Sequence, residues 1–98
     1  MVFIQTSSYK KWLLGMTDYL ALAKIMARID RLAHGNPGDV KPVGDGVSEM
    51  RIHYGPGYRV YYKDTGKEII LLLCGGDKST QAEDIKKAKQ LAKEYNDG

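Results

Sequence analysis

The chain is poor in the residues that build covalently braced or metal-held folds: it has one cysteine, Cys74, and two histidines, His34 and His53, in 98 residues. A single cysteine closes no internal disulfide. One Cys and two separated His cannot supply the four ligands of a structural zinc site, so no metal and no other cofactor is expected. Cys74 ends an apolar run with no base or cation specified beside it, so it reads as a buried small hydrophobe rather than a nucleophile. A lone thiol fits a reducing, cytoplasmic setting. The longest apolar run, Ile69 to Cys74, has six residues, against the ~20 needed to cross a bilayer, so no membrane association is expected. The first residues lack a basic region followed by an apolar stretch and a cleavage site, which argues against secretion. Repeats, low-complexity tracts and linkers are absent too, and a chain of this length suits one domain, residues 1–98, rather than two.

What is present is ordinary for a folded protein. The chain is 43% hydrophobic and 28% charged, which excludes a disordered or fibrous class. Its net charge of +3 permits an acidic partner such as nucleic acid without demanding one, so the placement of the charges decides.

Val2 to Thr6 reads as a short strand. Ser7 or Ser8 can cap a helix that runs through Trp12 to Leu14 and stops at Gly15. Thr17 or Asp18 starts a second helix, in which Leu22, Ile25, Met26, Ile29, Leu32 and Ala33 recur at helical spacing. His34 to Gly38 ends it. Asp39 to Gly46, rich in turn formers, reads as an ordered loop. Three strand candidates follow: Val47 to Tyr54, Tyr58 to Lys63 and Lys67 to Cys74, the last broken by Gly75-Gly76. Thr80 with Glu83 fits a capping box for a terminal helix whose inner face carries Ile85, Ala88, Leu91, Ala92 and Tyr95. The expected fold is α+β in the order β-α-α-β-β-β-α, a small antiparallel-dominated sheet with an N-terminal helical hairpin and a C-terminal helix. The Glu68–Cys74 strand is apolar without alternation, as befits a strand covered on both faces.

The hairpin before it does alternate. Met50, Ile52 and Tyr54 share a face with Tyr58, Val60 and Tyr62, while Arg51 and His53 share the other with Arg59, Tyr61 and Lys63. A three-residue turn at Gly55-Pro56-Gly57 would pair His53 with Arg59 and Arg51 with Tyr61. A solvated sheet face explains such a pattern too. Like charges opposite one another are unfavourable, however, and would be relieved by an anion. Lys78, after the last strand, and Lys41, before the hairpin, are expected nearby, so cations gather around a titratable imidazole as a phosphate site would require.

Other features are weaker. His34 sits at a helix C-terminus, where it offsets the dipole. The lysines of the last helix alternate with acids as on a solvated face. Trp12 and the apolar helix stripes are core or partner interface. Gly75 to Thr80 lacks the full spacing of a nucleotide-binding phosphate loop.

The stretches YKKWLL (Tyr9–Leu14), DVKPV (Asp39–Val43), GVSEMRIHYGPGYRVYY (Gly46–Tyr62) and IILLLCGGDKSTQ (Ile69–Gln81), with Ile85 to Tyr95, resemble the RelE/ParE superfamily of toxin proteins. Within it they are similar to the phage-related, HigB-like branch of addiction module killer proteins. The resemblance implies a compact sheet with two N-terminal helices on one side and an mRNA-binding face on the other. It implies metal-independent cleavage of mRNA on the ribosome, and neutralisation by a cognate antitoxin, a small helix-turn-helix protein from the adjacent gene. Carried over by position, His53, Arg59, Lys78 and Arg51 are the catalytic candidates; Lys41, Tyr61 and Lys63, which the chain and the hairpin alternation place near them, are the RNA-binding candidates. The tyrosine that many relatives carry just after the last strand is missing from Asp77 to Gln81; Tyr61 is the candidate to stack on a base instead. A ParE-like inhibitor of DNA gyrase and a non-catalytic nucleic-acid-binding domain are the alternative readings.

Overall fold

A computed structural model describes Met1 to Asp97. The elements run β1 (Val2–Gln5), α1 (Ser7–Leu14), α2 (Tyr19–Ala33), β2 (Val40–Gly44), β3 (Val47–Ile52), β4 (Tyr58–Asp64), β5 (Ile69–Gly76) and α3 (Gln81–Asp97), with a 3-10 turn at Lys78–Thr80 before α3. The five strands form one sheet in the order β1-β5-β4-β3-β2. Only β1 and β5 pair in parallel; every other neighbour is antiparallel. The expected α+β class and helix count hold. The Asp39–Gly46 loop is corrected to a fifth strand, β2, at the sheet edge. Pro42 had argued for a loop, but an edge strand can leave one side of its backbone unpaired and so tolerates a residue with no N–H.

The two helical layers follow from the strand patterns. Tyr9 of α1 and Ile25, Ile29 and Leu32 of α2 pack on Met50, Ile52, Val60, Tyr62, Ile70 and Leu72, the even-numbered residues of β3 to β5. On the opposite face Ala88 and Ala92 of α3 pack on Val47, Tyr61, Leu71 and Leu73. Strand β5 therefore contributes to both cores, as its unbroken apolar sequence requires. A fully buried side chain such as Ile25 contributes about 1.5–3 kcal/mol by leaving water.

Three local expectations are revised. Helix α1 is capped one residue early by Thr6, whose Oγ1 accepts from Tyr9 N–H (3.1 Å) while donating to the Leu73 carbonyl (2.5 Å). One hydroxyl thus starts the helix and ties it to β5. The cap before α3 is Asp77, which accepts from Ser79 N–H at 2.8 Å, and Thr80 donates instead to Asp84 at 2.5 Å. Gly75 and Gly76 do not break β5; the strand runs through both. A β-carbon on Gly75 would enter the Trp12 indole, and one on Gly76 would meet the Asp84 carboxylate. Glycine is there to let two helices approach the strand.

Among the described residues no helix is long and apolar enough to cross a membrane. Cys74 is buried and free, and burial pushes its thiol up to about 12.

Candidate functional site

The faces of the β3–β4 hairpin are as the alternation predicts, but the register is not. Arg51 lies opposite Arg59, Glu49 opposite Tyr61, and Ile52 opposite Tyr58. Pairing stops at Ile52, so the connection is a five-residue loop, His53 to Gly57, rather than a three-residue turn. The shift is by two residues, which leaves every side chain on its expected face. His53 is therefore no longer a strand residue facing Arg59, and two arginines stand across from each other instead.

Glu49 makes that juxtaposition tolerable. Its side chain is completely buried. One carboxylate oxygen accepts from Arg51 Nε at 2.9 Å and lies 3.9 Å from Arg59 Nε. The other accepts from Tyr61 Oη (3.0 Å) and from Gln81 Nε2 (2.8 Å), at the start of α3. Burial by itself would raise the carboxyl; the hydrogen bonds from Gln81, Arg51 and Tyr61 outweigh it and hold Glu49 below its ordinary value. A buried carboxylate without such partners would be costly. Here it fixes two guanidinium groups side by side.

Arg59 is 8% exposed. Its Nη1 donates to the carbonyls of Gly57 (3.2 Å) and Tyr58 (3.4 Å), and its buried Nε has no hydrogen-bond partner. The loop folds back over it. Lys78 N–H reaches the Pro56 carbonyl at 3.4 Å, tying the loop to the turn before α3. Gly57, at φ 80°, is needed here, because a β-carbon would lie 3.3 Å from Lys78 Cβ and 3.5 Å from Arg59 Nη1. The result is a surface cleft of about 470 Å³ lined by the His53–Gly57 loop, Arg59 and Lys78.

His53 is on the rim of this cleft, with its side chain 71% exposed. Its Nε2 donates to Asp39 Oδ2. That bond holds the Asp39 carboxyl below its ordinary value, against a smaller desolvation effect. With the Nε2 proton committed to Asp39, Nδ1 of the neutral ring keeps its lone pair.

The structure thus brings His53, Arg59 and Lys78 together, with Arg51 beside Arg59 through Glu49. It does not bring in all the RNA-binding candidates. Lys41 is exposed on β2 opposite Glu49, on the same face but outside the cleft lining. Lys63 is four residues along β4 from Arg59, ~13 Å at ~3.3 Å per strand residue; it lines a different hollow with Thr65, Lys67, Ile69 and Tyr95. Tyr61 is fully buried, so its ring has no free surface for a base. Tyr54 lines the cleft as well, while packing, as the alternation predicts, against the core on the apolar face. Glu49 and Asp39 escaped the sequence reading altogether. Among the described residues no group of three or more His, Cys, Asp or Glu side chains is placed to hold a metal ion.

The family model described as "Phage derived protein Gp49-like (DUF891)" matches residues 11–95. An uncharacterized protein of Haemophilus influenzae is 54% identical over 89 residues, which is 91% of this chain and 90% of that one. Proteins of the matched family usually work with an antitoxin partner. The chain belongs to the Gp49-like family of phage-derived proteins, a toxin-like family related to addiction modules of the RelE/ParE type.

Proposed function

We propose that the chain is the toxin of a bacterial type II toxin–antitoxin module, a metal-independent endonuclease that cleaves mRNA on the ribosome and is neutralised by a cognate antitoxin. The observation that carries the reading is the cleft lined by His53, Arg59 and Lys78, in which an imidazole and two cations border one hollow. Family membership and the RelE/ParE resemblance support it.

The reaction is attack of an RNA 2′-oxygen on the adjoining phosphorus, with departure of the 5′-oxygen. His53 Nδ1 takes the 2′-OH proton while Asp39 holds the ring and stabilises the imidazolium. Negative charge builds on the pentavalent phosphorane. Arg59, preset by Glu49 and by the Gly57 and Tyr58 carbonyls, meets it with little reorganisation. Lys78, a mobile ammonium with three donors, supplies the proton that leaves with the 5′-oxygen. The products are a 2′,3′-cyclic phosphate and a 5′-hydroxyl. Arg51 adds positive charge from outside the cleft, and Tyr54 offers the aromatic surface for a base.

The test is controlled induction in cells, with RNA 5′ ends mapped on translated messages for the wild type, His53→Ala and Arg59→Ala. New 5′ ends within coding regions, lost in both variants, are expected. Growth arrest over intact messages would replace the nuclease reading with gyrase inhibition, read by DNA supercoiling. No arrest would leave a non-catalytic nucleic-acid-binding domain.

A further inference from the structure

A second hollow opens beside the cleft, and its lining is cationic. Lys24, Arg28 and Arg31 of α2 line it together with Ala27, Ile52 and His53, around about 320 Å³. The three cations are spaced i, i+4, i+7, which puts them on one face of the helix. His53 lines both hollows. A second link is Tyr54, which lines the cleft while the Lys24 ammonium sits 5.4 Å from its ring centroid.

The cations have different tasks. Arg28 is a fastener: its guanidinium donates to the carbonyls of Arg51 (2.6 Å), Pro37 (2.9 Å) and Asp39 (3.1 Å). It joins α2 to the segment that carries Asp39. Burial lowers its pKa most, and the neighbouring Arg31 lowers it further. Arg31 and Lys24 are both exposed. Crowded cations without a facing acid on their own helix surface are relieved by an anion. The acids nearby are otherwise engaged: Asp18 caps α2, Asp39 accepts from His53, and Asp30 faces His34.

We infer that the α2 face carrying Lys24 and Arg31 is a second phosphate-binding site, which holds the single-stranded RNA on one side of the scissile phosphate as it leaves the cleft past His53. The inference rests on the proposed RNA cleavage site and extends it. A polyanion seated at Arg59 and Lys78 has to run over the rim of the cleft, and at the His53 rim it meets these cations. Arg28 keeps the ridge in place without being spent on the ligand.

The probes are single-stranded 2′-O-methyl RNAs, which lack the attacking hydroxyl, of three and of ten nucleotides. Affinity is measured against salt for the wild type, Lys24→Ala/Arg31→Ala and Arg59→Ala. Each phosphate contact in a single strand contributes ~0.7 to the slope of log K against log salt. The double variant is therefore expected to lose ~1.4 from the ten-nucleotide slope. Between 50 and 200 mM salt the wild type then loses about sevenfold more affinity than the variant. Binding of the three-nucleotide RNA stays unchanged. Equal ten-nucleotide slopes in wild type and double variant overturn the inference, and if Arg59→Ala still weakens both RNAs the cleft reading survives. Failure of the wild type to bind the ten-nucleotide RNA also overturns the inference, while cleavage of message on the ribosome, lost in Arg59→Ala, keeps the cleft reading. Circular dichroism of the double variant matching the wild type excludes unfolding as the cause, since both positions are exposed.

Discussion

Replacing Glu49 with Ala removes the acceptor around which the basic face is organised. It strands the Tyr61 hydroxyl inside the sheet face and leaves Arg59, itself 8% exposed, without its neighbouring anion. Breaking a buried ion pair from one side costs about 3–5 kcal/mol. At roughly 4 °C per kcal/mol for a domain near 100 residues, the melting temperature falls by ~12–20 °C. The sharper test is the cycle with Tyr61→Phe. Alone, that change removes a hydrogen bond to a charged acceptor and costs ~1.5–3 kcal/mol. In the Glu49→Ala background the hydroxyl is already unpaired, so its removal costs about nothing or stabilises. Urea unfolding followed by circular dichroism reads all four proteins. Additive losses, within ~0.5 kcal/mol, would refute the network. The pH dependence carries the same information. Glu49 titrates below its ordinary value of 4.5 in the folded chain, so as the pH falls the unfolded chain takes up the proton first. Its contribution is complete above that ordinary value and is lost as the pH falls through the lower folded one. The wild type is expected to show a steeper acid limb than Glu49→Ala, which keeps only the part due to other depressed carboxylates such as Asp39.

Gly75→Ala forces a β-carbon into the Trp12 indole and should lower stability by ~1–3 kcal/mol, the usual range for overpacking, in thermal melts. Asp39→Asn removes the carboxylate that holds His53; RNA cleavage should drop towards ~100-fold, the low end for losing a positioned proton-transfer group, with an unchanged melting curve. Cys74, buried and with its thiol raised to about 12, should resist a thiol-specific reagent at pH 8 in the native protein and react fully in denaturant.

Much of this architecture was legible because the hydrophobic periods were clear. The helical stripe of α2, the two-sided apolar run of β5 and the alternation of β3 and β4 gave the layers and the faces. Register was not legible. The Gly-Pro-Gly segment suggests a three-residue turn, but its backbone hydrogen bonds go to the loop itself and to Lys78, which lengthens the connection by two residues. A two-residue slip leaves the alternation unchanged, so periodicity cannot detect it. Glu49 is not legible because its face, rich in cations, reads from the alternation as open to solvent. The signal was present in β5: a strand apolar on both sides needs a cover on each, and that cover, α3, extends over the neighbouring Tyr61 and Glu49. The same cover explains why Tyr61 is buried. Strand β2 was hidden by Pro42 and by the Gly44-Asp45-Gly46 turn, whose three residues all have positive φ.

The most direct measurement uses purified protein and ribosomes programmed with a defined message. The RNA ends are then identified chemically. Cleavage into fragments ending in 2′,3′-cyclic phosphate and 5′-hydroxyl, abolished by His53→Ala and by Arg59→Ala, is the predicted result. Intact message with the wild type, or equal cleavage by the His53→Ala protein, would contradict the assignment of the His53–Arg59–Lys78 cleft as the site of the chemistry.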